Sequence, residues 1–430
     1  MTQEIQKRIE QIRRGEVPEG YKKTKVGIVP TDWQEHKLSH YLTVNNDKNT
    51  DLKYTKDDVF SISGELGIVN QIELLGRSYA GVSVAPYGIV YPNDVVYTKS
   101  PLKANPYGII KTNKLGVTGI VSTLYAIFHC NNNVSPDYVQ LYFESDHKLN
   151  NYLYPIVNIG AKHDMKISDE GSLRGTVVFP PLPEQEKIAA ILQTEDKVIE
   201  LQQKKIGELK RLKKGYLSKM FPKKGCNVPE IRFPGFTDPW EQRKVGEVSE
   251  SYSGGTPSVG VKEYYGGQIP FIRSAEINSE ITELFLTEEG LKNSSVRLVA
   301  VGDILYALYG ATSGEVGRAR LKGAINQAIL AIKPHTDCDS EYLAQWLRKS
   351  KHSIIETYLQ GGQGNLSGTI VKELSVDFPS LKEQKAIGDF FRQLDNLITL
   401  HQRKCDEEKQ KKKALMQLLL TGIVRVKYDT

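Results

Sequence analysis

The chain has little of what most readily announces a function. Its 430 residues include four cysteines, namely Cys130, Cys226, Cys338 and Cys405. They stand far apart, with no Cys-x-x-Cys pair and no histidine at ligand spacing. That excludes a disulfide framework and a structural zinc site, and it suits a reducing cytoplasm, where the protein is expected to reside. No apolar run approaches the roughly 18–20 residues needed to span a bilayer. The opening stretch, MTQEIQKRIEQIRRGE, is charged throughout and has no apolar core of the kind a secretory signal needs. Charge of one sign is not in large excess either. Lys and Arg number 57 against 51 Asp and Glu, a net +6 with a pI near 8.8. This permits a nucleic-acid partner without demanding one, so any basic surface must be local.

Catalytic signatures are missing as well. GGTPSVGVK at 254–262 lacks the spacing and the Lys-Ser/Thr of a phosphate-binding loop. GELG at 64–67 and GGQGN at 361–365 have no strand-to-helix fingerprint around them. Asn105-Pro106-Tyr107 has the outline of an amino-methyltransferase motif, but Ala104 stands where a polar acceptor is required. Glu383-Gln384-Lys385 could pass for part of a nuclease motif. Its counterpart is Glu184-Gln185-Glu186, and both open a helix, where carboxylates complement the macrodipole. The eight histidines form no pair at metal-ligand spacing. No catalytic residue, bound metal or resident cofactor is expected.

What is present is a repeat. Residues 179–221 and 378–420 align without a gap at an offset of 199, and 15 of the 43 positions are identical. The matches include Phe179, Pro180, Leu182, Glu184, Gln185, Ile188, Asp196 and Lys213. Both copies are rich in Glu, Gln, Lys and Leu, and proline is confined to their openings, so each predicts a helix of about 38 residues and about 57 Å. Leu192, Ile199 and Ile206 recur every seven residues, as do Phe391, Ile398 and Cys405. Ile188, Ile191 and Val198 form a flanking row, matched by Ile387, Phe390 and Leu397. The seam turns polar near 202–214, an interrupted heptad. The two helices are expected to pack as a long antiparallel pair. The lysine clusters 210–214 and 409–413 read as solvated or partner-facing helix surface.

Between the repeats the composition changes to Gly-, Tyr- and Val/Ile-rich. Turn signals at Pro92-Asn93-Asp94 and Val301-Gly302-Asp303 precede VVYTK and ILYALYG, and STLYAIF at 122–128 and QAILAI at 327–332 also read as strands. VPEGY at 17–21 leads to Asp32-Trp33, and VPEIR at 228–232 leads to Pro239-Trp240, so each domain opens alike. Ile5, Ile9 and Ile12 give a short amphipathic helix over 2–14. The layout is a first β-rich domain at 1–178, a long helix at 179–221, a Pro/Gly-rich linker at 222–238, a second β-rich domain at 239–377 and a second long helix at 378–425. The class is α+β, with internal pseudo-twofold symmetry.

The pattern P-L-x-E-Q-x-x-I opening a long helix, with its variant in the second copy, resembles the conserved regions of type I restriction–modification specificity (S) subunits. SGGTPS at 253–258, YYGGQIPFIRSAEI at 264–277, ALYGATSGEVGRA at 307–319 and QGGQGNLSGTIVKEL at 360–374 are similar to that family's target-recognition domains. GIVNQIELLGRSYA at 67–80, NDVVYTK at 93–99 and GIVSTLYAIF at 119–128 look like another class of the same unit. YPIVNIGAKHDMKIS at 154–168 departs by lacking the Gly-Gly-Gln run. The resemblance implies a non-catalytic subunit in which each domain reads half of a bipartite site on double-stranded DNA. The helices would act as a ruler and docking surface for two methyltransferase (M) subunits, and motor-nuclease (R) subunits would complete the restriction enzyme. S-adenosylmethionine, ATP and Mg2+ would belong to those partners.

Base reading needs polar or basic groups at groove edges, with phosphate contacts to hold register. Candidates in strand-end loops of the first domain are Ser63, Lys99, Lys103, Asn105, Tyr107, Lys111, Lys162 and His163. In the second they are Thr256, Ser258, Arg273, Tyr309, Thr312, Ser313, Arg318, Gln363 and Asn365. Two other readings stay open on the residues alone: a protein-interaction scaffold, and the recognition fragment of a fused restriction enzyme.

Overall fold

The computed structural model describes residues 2–101, 105–159, 165–223, 225–359 and 365–427. Two helices dominate, Leu182–Lys219 with 38 residues and Leu381–Leu419 with 39. Each follows a strand that ends on the repeated phenylalanine, Thr176–Phe179 and Ser375–Phe378. The helices pack together as an antiparallel pair. Asp196, early in the first, bonds Lys412 late in the second, and Lys213, late in the first, bonds Asp395 early in the second. The chain divides into two compact units, one made of Met1–Leu201 and Asp406–Thr430, the other of Gln202–Cys405. Each unit is thus one β-rich domain with half of each long helix, and the division falls inside the helices, not at their ends.

The two domains share a frame. The first has a four-stranded antiparallel sheet ordered Leu42–Val44, Tyr125–Cys130, Val95–Thr98, Ile109–Thr112. The second repeats it with Ser249–Ser253, Ile329–Pro334, Ile304–Ala307, Val316–Arg318. The strands expected from sequence are the central pairs of these sheets. The turns before them are also the same device. Asn93 (φ 69°) and Gly302 (φ 94°) take the left-handed conformation, which these two residue types adopt at least cost. The Asp94 and Asp303 amides then close on Tyr91 and Ala300 carbonyls, each at 3.1 Å.

Helices cover one face of each sheet. Pro136–Glu144 and Asp146–Leu153 do so in the first domain, broken at Ser145, whose hydroxyl caps the second of them. One helix, Ser340–Leu359, does so in the second domain. The cores then recruit the long helices. Tyr138, Tyr142, Phe143 and Phe179 pack with Ile188 and Leu192 from one helix and Leu419 and Leu420 from the end of the other. Tyr342, Leu347 and Phe378 pack with Ile387 and Phe391, and with Met220 and Phe221. The apolar row of each helix is therefore domain core at its start and interhelix seam further on. Ile206 and Cys405, 6% and 1% exposed, mark that seam, with Val198, Ile199, Phe390 and Ile398 half-buried.

Two expected packing residues are corrected. Ile191 and Leu397 are 36% and 44% exposed. Each adjoins a seam residue, and one residue turns the helix by about 100°, enough to carry both side chains off the seam. The short helix at the beginning, Gln3–Arg13, has Thr2 as its N-cap and buries no residue fully.

Candidate nucleic-acid interface

The loops that could meet DNA are carried by a frame whose repeated residues now have physical roles. Gln185 donates to the Pro180 carbonyl at 2.9 Å and accepts from the Ser135 amide at 2.9 Å. Gln384 does the same with the Pro379 carbonyl and the Asp339 amide, also at 2.9 Å. Each glutamine thereby ties the start of a long helix to the start of the helix that covers the sheet. Glu184 and Glu383 are both fully buried. Glu184 receives Arg425 through Nε and Nη2 at 2.8 Å. Glu383 receives Arg232 at 2.7 and 2.8 Å in the same fork.

In each case the arginine comes from the segment that follows the other long helix. A bidentate guanidinium is the donor best matched to a buried carboxylate, and these carboxylates raise the pKa of both arginines. Sequence reasoning passed over Arg232 and Arg425. The signal was there in two apolar-Arg-apolar triplets, Ile231-Arg232-Phe233 and Val424-Arg425-Val426. The lysine clusters also acquire partners. Lys213 and Asp395 meet at 2.6 Å, and their repeat equivalents Lys412 and Asp196 do the same. These clusters are thus partly interhelix pairs.

The DNA candidates fall into groups. Lys103, Lys162, His163 and Gln363 lie outside the described residues. Thr256, Ser258 and Asn365 are exposed. Thr256 hydrogen-bonds Gln327, linking the SGGTPS loop to the turn after Gly323–Ile325. Tyr309, Thr312 and Ser313 form the hairpin turn between Ile304–Ala307 and Val316–Arg318, where the Ser313 hydroxyl donates to the Gly310 carbonyl at 3.0 Å. Ser63 ends the strand Phe60–Ser63, and its hydroxyl accepts the Leu66 amide at 3.1 Å. Lys99 pairs with Asp169. The Tyr107 carbonyl accepts the Tyr97 hydroxyl at 2.8 Å, and its ring packs edge-on to Tyr154.

Four candidates do not have the open loop setting that their sequence context suggested. Lys111 and Asn105 are each 7% exposed. Lys111 lies in the strand Ile109–Thr112 with Gln140 and Glu144 beside it. Burial lowers its pKa, against the pull of Glu144 and Asp146. Asn105 accepts from Asn150 at 3.4 Å. Arg318 ends an edge strand and bonds Ser340 at the start of the covering helix, with its pKa lowered by burial. Arg273 is chelated by Glu276 at 2.8 and 3.2 Å and by Glu283 at 2.6 Å. Burial works to raise the Glu276 pKa, but Arg273 and two backbone amides outweigh it and hold the carboxyl at about 2.

The glycine-rich runs of the second domain are chiefly sites of close backbone approach. A Cβ on Gly254 would stand 1.9 Å from the Ile325 carbonyl oxygen, and one on Gly317 2.3 Å from that of Ile277. Among the described residues no group of three or more metal-ligating side chains occurs, and no helix is long and apolar enough to cross a membrane.

Comparison with known proteins agrees with this architecture. The family model described as the type I restriction modification DNA specificity domain matches residues 237–409. The chain is 26% identical over 439 residues to the putative type I restriction enzyme MjaX specificity subunit of Methanocaldococcus jannaschii, covering 95% of this chain and 97% of that one. It is 32% identical over 167 residues to the MjaIX specificity subunit of the same organism, 37% of this chain and 38% of the relative. The fold matches the type I restriction–modification S subunit from M. genitalium at a TM-score of 0.55 and 13% identity, over 92% of this chain and 97% of the other. It also matches a chain from a study of complex assembly and conformational transition in the type I R-M system, with a TM-score of 0.54, 16% identity and coverage of 92% and 99%.

Proposed function

We propose that this chain, which belongs to the specificity subunits of type I restriction–modification systems, reads an interrupted and asymmetric DNA sequence with one half assigned to each domain. The observation that carries this reading is the repeated frame bearing different loops. Both domains hang on the same four-stranded sheet and the same Glu–Arg and Gln–backbone bonds. The segments that hold the candidate readers, by contrast, differ in sequence, and beyond the shared sheets the first domain has two strand pairs where the second has a further four-stranded sheet. A repeated frame gives two equivalent ways to approach a duplex, which has its own approximate dyad, and different loops give two different half-sites.

The long helix pair is the ruler. Half-sites read from one face of B-DNA lie about 34 Å apart or a multiple of that, and a stiff helical spacer holds such a distance where a Gly/Ser linker would not. The chain itself carries out no chemistry. It docks two methyltransferase subunits, which bring S-adenosylmethionine for adenine methylation, and the motor-nuclease subunits bring ATP and Mg2+ for restriction, all in the cytoplasm. Co-expression with the cognate methyltransferase subunit in a host lacking adenine methylation tests the reading. Long-read methylome sequencing is expected to return one bipartite, asymmetric motif. A continuous motif, or none from an assembled complex, would overturn it.

A further inference from the structure

We infer that the loop Gly76–Val84 of the first domain enters a DNA groove, with Arg77 as a base-edge donor and Val82 as its apolar contact. This rests on the DNA-reading function proposed above and names residues outside the candidates drawn from sequence. The loop follows the helical turn Gln71–Leu75, which ends at Gly76 in the left-handed conformation (φ 73°). It is built, not slack. Gln71 donates to Ser61 at 3.0 Å and accepts the Tyr79 amide at 2.6 Å. The Gly81 amide donates to the Tyr87 hydroxyl at 3.1 Å, and Asn49 donates to the Val84 carbonyl at 3.3 Å. Val84 is buried, in a small cluster with Val59 and Ile120.

On that footing the loop presents exposed side chains. Val82 is 100% exposed and Tyr79 58%. The Arg77 guanidinium lies 4.6 Å from the Tyr79 ring centroid. Among the described residues Arg77 forms no ion pair, whereas Arg273 and Arg318 are both consumed by carboxylates or hydroxyls. Stacking on an aromatic ring fixes the guanidinium plane beforehand, so little rotamer freedom is lost when its fork meets a guanine edge. A fully exposed valine held by a hydrogen-bonded loop costs its hydration with no return in the free protein; against a thymine methyl group or a deoxyribose it recovers that cost.

The test is the methylome of the complex assembled with Arg77→Ala or Val82→Ser, beside binding of the same complexes to the wild-type duplex. Both positions are exposed, so folding should be preserved. The expected result is degeneracy at one or more bases of a single half-motif, the other half unchanged, with binding weaker by about 10-fold for Arg77→Ala. A wild-type bipartite motif that both variants reproduce at unchanged affinity overturns the loop assignment alone. So does an Arg77→Ala complex that binds all sequences equally less well with a reduced salt slope, because that marks a phosphate contact. A wild type with no interrupted motif removes the underlying function, and the loop assignment falls with it.

Discussion

The two units solve one structural problem with different pieces of chain. In the unit Gln202–Cys405 the buried Glu383 is held by Arg232, which also bonds the Asp238 carbonyl at 2.6 Å. In the other unit the buried Glu184 is held by Arg425, which also grips Asp32, and by the Trp33 indole at 3.2 Å. Trp240 is the sequence counterpart of Trp33, yet its buried indole nitrogen has no hydrogen-bond partner among the described residues.

The upper parts diverge further. The second domain builds a second four-stranded sheet from Phe285–Leu286, Tyr265–Ile272, Gly323–Ile325 and Arg297–Val299. The first has two strand pairs there, Phe60–Ser63 with Gly67–Asn70 and Gly88–Val90 with Gly119–Val121, joined by a single parallel bridge between Val59 and Ile120. Glu280 of the second domain leans on Arg403 of a long helix at 3.4 Å, whereas among the described residues the hydrogen bonds of the loop Gly76–Val84 stay within its own domain. What is repeated is the bonding of domain to helix; what varies is the part free to face a ligand.

The largest effect should come from cutting one arginine clasp and then the other. Arg232→Ala leaves Glu383 charged and buried with no side-chain donor among the described residues and should cost about 3–5 kcal/mol. Arg425→Ala leaves Trp33 on Glu184, and that surviving hydrogen bond should spare about 1 kcal/mol. Denaturant unfolding resolved by hydrogen exchange within each unit measures the difference, and equal losses would break the asymmetry.

A titration gives the next contrast. Lys148 and Lys349 lie on corresponding covering helices and donate to the carbonyls of Leu420 at 3.0 Å and Pro222 at 3.3 Å, each just past the end of a long helix. Burial lowers both pKa values, that of Lys148 from 10.5 to about 8. Between those two values the unfolded chain binds more protons than the folded one at Lys148, so stability should rise with pH from about 8 to 10.5. The slope should not exceed about 1.4 kcal/mol per pH unit. Lys148→Met should flatten that rise in its own unit and leave the other unit's profile in place; an unchanged profile would remove the effect of burial.

The smallest effect sharpens the comparison by showing equality. Lys213→Ala breaks its interhelix pair with Asp395, and Lys412→Ala breaks the matched pair with Asp196 together with a longer one to Glu144; each should cost about 0.5 kcal/mol, less at high salt. Thermal unfolding of the two variants across a salt series checks this, and a twofold disparity between them would mean the pairs are not equivalent.

How much of this could be read from the residues follows the same divide. Long helices and central strands show themselves through period and turn chemistry. Leu192 and Ile206 fall on the buried row because seven-residue spacing leaves a helix little choice, and Asn93 and Gly302 mark their turns because few residues tolerate that backbone. The Glu–Gln pair was visible as a repeat, but its partners Arg232 and Arg425 come from remote chain, which no local pattern encodes. The reader candidates were the hardest. A basic residue in a three- or four-residue strand looks like one in a loop, so Lys111 and Arg318 passed as exposed although both sit beside covering helices. Arg77 and Tyr79 were passed over because their value lies in a mutual stack with no ion pair among the described residues, and that shows only once their neighbours are placed.

One unit is a single uninterrupted stretch, Gln202–Cys405, while the other joins Met1–Leu201 to Asp406–Thr430. During synthesis, at about 5–20 residues per second, the later-encoded domain has all its pieces as soon as Cys405 clears the ribosome. The earlier-encoded domain must wait, with Ile188 and Leu192 only partly covered and Glu184 without its arginine, until Leu419, Leu420 and Arg425 arrive. The half that is translated first is the last to be finished, and during that interval it is the half most exposed to chaperones and proteases.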